Sequence, residues 1–166
     1  MKKQAACLGL LIGGLAIAGD FSFITFDDPN EGTASGQGTT PIVRSHGVID
    51  GYYADSSGVS HGFLRLRNGK FVTFDPANSE YTLPFGMNER GEIAGIYFDS
   101  NGPHGFLRRA NGESIAIDVP GAAGTYAANI NSEGAVGGDS YDFNDVSHAY
   151  IRSPSGKITV FSAPGA

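Results

Sequence analysis

Three histidines recur in a fixed context along this chain of 166 residues: His61-Gly62-Phe63-Leu64-Arg65, His104-Gly105-Phe106-Leu107-Arg108 and His148-Ala149-Tyr150-Ile151-Arg152, spaced 43 and then 44 residues apart. An aspartate precedes each one, Asp55, Asp99 and Asp142, by six, five and six residues. An imidazole beside a carboxylate can serve as a general acid or base, or help to ligate a metal. Repetition favours a different reading, a structural hydrogen bond that fixes each ring at the start of a strand. A group that chemistry needs once need not stand in every repeat. Histidines on successive repeats would also lie too far apart to share one ion.

A second set of residues offers oxygen ligands. Asp55-Ser56-Ser57-Gly58 and Asp99-Ser100-Asn101-Gly102 are similar to pieces of calcium loops, but lack the spacing and terminal glutamate of an EF-hand. The third copy is richer: Asp139, Asp142, Asn144 and Asp145 are candidate ligands for weakly bound calcium, the one cofactor this chain suggests. The same residue types are ordinary turn formers. Asp27 and Asp28 form a carboxylate pair, but adjacent acids do not guarantee the separation that glycoside hydrolysis requires. No nucleophile elbow, phosphate-binding glycine loop or zinc spacing is present. Aromatics gather where a second strand of each repeat ends: Tyr53, Tyr97, Phe98 and Tyr141, with Phe143 beyond. Together with Asp55 and Asp99 they are the candidate contact surface for an extracellular glycan or protein, since aromatic faces supply rigid contact area.

These residues need a scaffold, and the repeat predicts one. Each unit reads as four short strands, a to d, separated by turn residues. Strand a ends at Val43, Met87 or Ile130; strand b covers 48–53, 92–98 and 135–140; strand c holds the histidine motif. The a–b connections end on Gly47, Gly91 and Gly134, which suit type I turns with glycine in the left-handed position. Asn68-Gly69, Asn111-Gly112 and Ser155-Gly156 predict two-residue c–d hairpins. Strand d follows, as Phe71 to Asp75 and Ser114 to Asp118, with further copies at Phe23 to Asp27 and Ile158 to Ser162. The d-to-a links are the longest, over 76–85 and 119–128 and longer still across Asp28 to Pro41. A propeller blade needs such a link to carry the chain from its outermost strand to the innermost strand of the next blade. The fold class expected is all-β: tandem four-stranded antiparallel sheets in a partial, three-blade propeller-like array. His61, His104, His148, Gly91 and Gly134 are its structural repeat positions. Three blades are fewer than the four to eight typical of closed rings. A homodimer of two half-rings, an open stack, or a piece of a longer array would each account for that.

Composition narrows the setting. Residues 1–18 have the layout of a signal peptide, with Lys2 and Lys3, an apolar run and Ala16-Ile17-Ala18 before Gly19. Residues 19–166 then form a single repeat domain, in units of about 23–70, 71–113 and 114–157 with a partial fourth at 158–166. The apolar run is short for a membrane span, so no membrane insertion is expected after cleavage. The single cysteine, Cys7, lies within the leader, which removes disulfides and thiolate chemistry. A net charge of −6 argues against nucleic acid and anionic lipid as partners.

The His-Gly-Phe or His-Ala-Tyr strand, the Phe-x-Thr-Phe-Asp strand, the Pro-Gly-Ala loop and the Asn-x-x-Gly turn resemble the HAF-type extracellular repeat family of bacteria. The likeness spans residues 19–166. It implies an exported bacterial repeat protein of propeller-like form, extracellular or periplasmic, and carries over no catalytic residue. The first repeat departs from the pattern, with Arg44 in place of asparagine and a polar insert from Asn30 to Thr40. The function expected is a non-catalytic interaction or surface-scaffold module. The alternative is an extracellular hydrolase acting on polysaccharide through acids on the long loops.

Overall fold

Alternating side chains and glycine-marked turns build twelve strands in the computed structural model, which describes residues 25–161. The signal-peptide reading therefore lies outside the described residues, as does Ser162. Among the described residues there is no helix. The first sheet contains β1 (Gly38–Ser45), β2 (Val48–Ala54), β3 (Ser60–Arg65) and β4 (Phe71–Phe74). The second contains β5 (Tyr81–Met87), β6 (Ile93–Asp99), β7 (Gly102–Arg108) and β8 (Ser114–Ile117). The third contains β9 (Gly124–Ile130), β10 (Val136–Tyr141), β11 (Ser147–Arg152) and β12 (Ile158–Phe161). Each is a four-stranded antiparallel meander in chain order. The frame beginning at residue 23 thus divides each sheet between its third and fourth strands.

Among the described residues the three sheets do not close a ring. Strand β5 packs against β1, β2 and β3, and β9 against β5, β6 and β7, so each sheet's first strand lies on the preceding sheet. The links 75–80 and 118–123 make these crossings. They are shorter than the sequence suggests, because β5 and β9 begin earlier, at Tyr81 and Gly124.

The turns follow from local chemistry. At the second a–b turn the Gly91 N–H donates to the Asn88 carbonyl at 3.0 Å, with Gly91 at φ 75°, a value that disfavours any side chain. The c–d turns use the same device, which corrects the two-residue expectation. Leu66 pairs with Lys70, Gly69 N–H donates to Leu66 O at 2.8 Å, and Gly69 takes positive φ while Asn68 does not. The Asn68 side-chain oxygen instead accepts the Lys70 N–H at 3.0 Å. The first a–b turn differs: His46 and Gly47 both have positive φ, and Ser45 pairs directly with Val48, a two-residue turn.

Two apolar interfaces hold the sheets together. Phe74, Ile93, Tyr97 and Phe106, with Leu64 and Met87, form the first; Ala94, Leu107, Ile117, Val119, Ala127, Val136 and Tyr150 form the second. Burying one such large side chain contributes about 1.5–3 kcal/mol. Strand c approaches its neighbour closely, since a Cβ at Gly105 would lie 3.2 Å from Ala127 Cβ of the third sheet. Asn88 adds a polar tie. Its Nδ2 donates to Glu92 Oε2 at 2.7 Å and to the Asn131 carbonyl at 3.0 Å, joining the turns of the second and third sheets.

Candidate functional site

The b–c loops and d–a links emerge at one end of the sheets, and the histidines join them. Strand pairing sets Tyr97 opposite His104 and Tyr53 opposite His61, so each ring stands at the start of strand c beside a tyrosine of strand b. His104 Nδ1 lies 2.7 Å from Asp118 Oδ1, and Nε2 lies 3.1 Å from Asp99 Oδ1. His61 repeats this with Asp75 at 2.8 Å and Asp55 at 3.5 Å. In the third sheet His148 Nε2 is 3.8 Å from Asp142.

Two carboxylates facing both ring nitrogens decide the protonation state. A neutral imidazole carries one N–H, so it can donate to only one of them, whereas imidazolium donates to both. Burial opposes the charge on each ring. The facing carboxylates, led by Asp75 at His61 and Asp118 at His104, outweigh it, and both pKa values are raised. The Ser57 hydroxyl and the backbone N–H groups of Val59 and Ser57 hold the Asp55 carboxyl down to about 2. Asp99 and Asp142 are lowered first by backbone N–H donors, from Asn101 and from Val146 respectively. The result is a repeated Asp–His–Asp clamp that ties the loop after strand b to the end of strand d.

Asp75 and Asp118 escaped the sequence reading as histidine partners. The signal was present, as an aspartate standing 14 residues after each of two histidines at the end of strand d.

The aromatic surface needs correction. Tyr53 and Tyr97 are only 4% and 7% exposed, and they pack on the histidine rings at centroid distances of 5.2 and 5.0 Å. They support the clamps and offer no free face to a partner. Phe98 and Tyr141 are half-buried, edge-on to Tyr81 and Tyr126. Phe143, by contrast, is 82% exposed.

Two of the candidate calcium residues, Asp142 and Asp145, serve the turn that carries them. Asp142 Oδ1 accepts the backbone N–H of Asn144 and Val146, at 2.8 and 3.0 Å, and Asp145 takes a left-handed turn position at φ 61°. Among the described residues no group of three or more His, Cys, Asp or Glu is placed to hold a metal ion. Asp27 and Asp28 part company too: Asp28 is buried and accepts the Asn30 N–H, while Asp27 is exposed.

A groove of about 410 Å³ runs between the second and third sheets at the clamp end, lined by Asn101, Pro103, His104, Asp118, Pro120 and Phe143. An adjoining hollow of about 350 Å³ shares Pro103, Ala123 and Gly124, and reaches Tyr141 and Asp145. A third cleft, of about 390 Å³, opens at the opposite end, between the first and second sheets, beside Leu64, Val72, Met87 and Arg108.

No family model and no curated protein matches this chain.

Proposed function

We propose that this protein is an exported, non-catalytic bacterial repeat module of the HAF type. Its binding surface is the groove between the second and third sheets, and its ligand is an extracellular glycan. The observation that carries this reading is Phe143, an aromatic face 82% exposed at the rim of a groove whose polar side chains include Asn101, Asp118 and His104. Stacking on an exposed ring with a few fixed hydrogen-bonding groups is the usual way a protein holds a sugar. The order of strands and the crossing of each first strand onto the preceding sheet support a propeller-like arrangement.

A non-catalytic role is favoured by the clamps. Both nitrogens of His104 are within hydrogen-bond reach of carboxylates, so neither is open to a substrate. Asp99 and Asp142 are lowered in pKa, the opposite of what a general acid needs at neutral pH. A glycan array probed with the full chain and with Phe143→Ala tests the reading, alongside a panel of chromogenic glycosides. Binding lost in Phe143→Ala, with no turnover, is expected. Turnover abolished by alanine at Asp139 or Asp142 would establish the hydrolase instead, and capture of proteins alone would change the ligand class.

A further inference from the structure

The middle sheet has two working faces. One carries Ile93 and Phe106 and receives the first sheet, with Phe74 of β4 lying under the Arg108 guanidinium at 4.8 Å. The other carries Ala94, Leu107 and Ile117 and receives the third sheet. Hydrogen-bond register makes these positions transferable. Leu107 pairs with Ile115 and Gly105 with Ile117, just as Ile151 pairs with Thr159 and Ala149 with Phe161. Ile151 and Phe161 therefore occupy, on the third sheet, the places of Leu107 and Ile117. The latter are 4% and 1% exposed; the former are 50% and 48% exposed. Asp139 stands here where the second sheet has Ile96. A carboxylate on this face is compatible with contact, because Asp50, opposite Leu64 on the same face of the first sheet, is fully buried.

The other end of the stack is not bare. Phe26 lies under Arg65 at 4.9 Å and 6.0 Å from the Phe71 ring, and Arg65 is the repeat counterpart of Arg108. Phe26 belongs to Phe23-Ile24-Thr25-Phe26-Asp27, which repeats Phe71-Val72-Thr73-Phe74-Asp75. It fills on the first sheet the slot that Phe74 fills on the second. The position equivalent to both on the third sheet is Phe161.

We propose that the outer face of the third sheet docks on the first sheet of a second copy of this chain. Phe161 takes the slot beneath Arg65 of that copy, and Phe26, already in the slot, holds this association back. The occupant follows from the chain's own two interfaces, where this face is each time covered by a sheet of the same kind. The contact is head-to-tail, so it closes a ring if the rotation permits and otherwise grows as a filament.

Sedimentation velocity over a concentration series of the full chain tests this. Phe26→Ala is expected to associate at a concentration at least about tenfold lower than the unchanged chain. Phe161→Asp, a change at an exposed site, is expected to stay at the lower mass, and adding it to Phe26→Ala should remove the gain. If Phe26→Ala has lost its strand signal by circular dichroism, Phe26→Leu, which fills the slot less completely, replaces it and must shift in the same direction. Association unaltered by the folded Phe26 variant, or a gain that survives Phe161→Asp, overturns the proposal.

Discussion

At the scale of single residues, the histidine clamp makes stability depend on pH from two sides. His104 faces Asp99 and Asp118 and stacks on Tyr97; His61 faces Asp55 and Asp75 and packs on Tyr53. A histidine pKa raised by folding contributes stability that is complete below the unfolded value and is lost as pH rises through the folded one. Thermal melts should therefore fall in midpoint as pH climbs above the ordinary histidine range. His104→Gln should flatten that part of the profile, and histidine ring resonances followed by NMR should titrate late. A lowered aspartate acts with the opposite sign. The contribution of Asp55 is complete above its unfolded value of 3.8 and lost as pH falls through about 2. Asp55→Asn should remove acid-side sensitivity in that window; a melt profile unchanged by the substitution would separate the carboxylate from stability. The histidines and their upstream aspartates were legible in the sequence because they recur at nearly constant spacing. The second carboxylate was less visible, since it lies just past the end of the next strand, and only the pairing of that strand with the histidine strand brings it to the ring.

At the scale of elements, glycines inside the second strand of each sheet decide how closely the chain packs on itself. A Cβ at Gly95 would meet the Leu83 carbonyl and come within 2.7 Å of the Phe106 ring; Gly51 and Gly138 stand in the same relation to Phe63 and Tyr150. The small residue lets the aromatic of the neighbouring strand lie across it. Gly95→Val should cost about 3 kcal/mol, measured by urea unfolding, because neither a carbonyl nor a fully buried ring can give way. Gly121 offers a contrast: it has φ 82° and open space around it, so Gly121→Ala should cost only about 1 kcal/mol, all of it from the backbone. Turn glycines announced themselves in the sequence through Asn-Gly and Asn-x-x-Gly spacing. The count of residues in the c–d turn did not, because two-residue and three-residue hairpins draw on the same residues and differ only in whether asparagine also takes positive φ.

At the scale of the whole molecule, the interfaces between sheets carry the core, and Asn88 shows how they are keyed. It is buried, its oxygen accepts the N–H groups of Arg90 and Glu92, and its nitrogen reaches the Asn131 carbonyl of the next sheet. Asn88→Ala should destabilise by about 1–3 kcal/mol, since it strips partners from polar groups in a partly dry site. Protection of the Asn131 to Ala135 turn against hydrogen exchange should fall with it. The sequence by itself determined the repeat, the four-strand unit, the positions of turns and the alignment of the histidines, because these rest on period-two alternation and on backbone demands that few residues meet. Which aromatics are buried, that Phe26 fills a slot copied from its neighbour and that Phe143 is exposed were decided only by the tertiary structure. Each depends on how one sheet is set against the next, and an alternating pattern records which residues share a face but not what covers it.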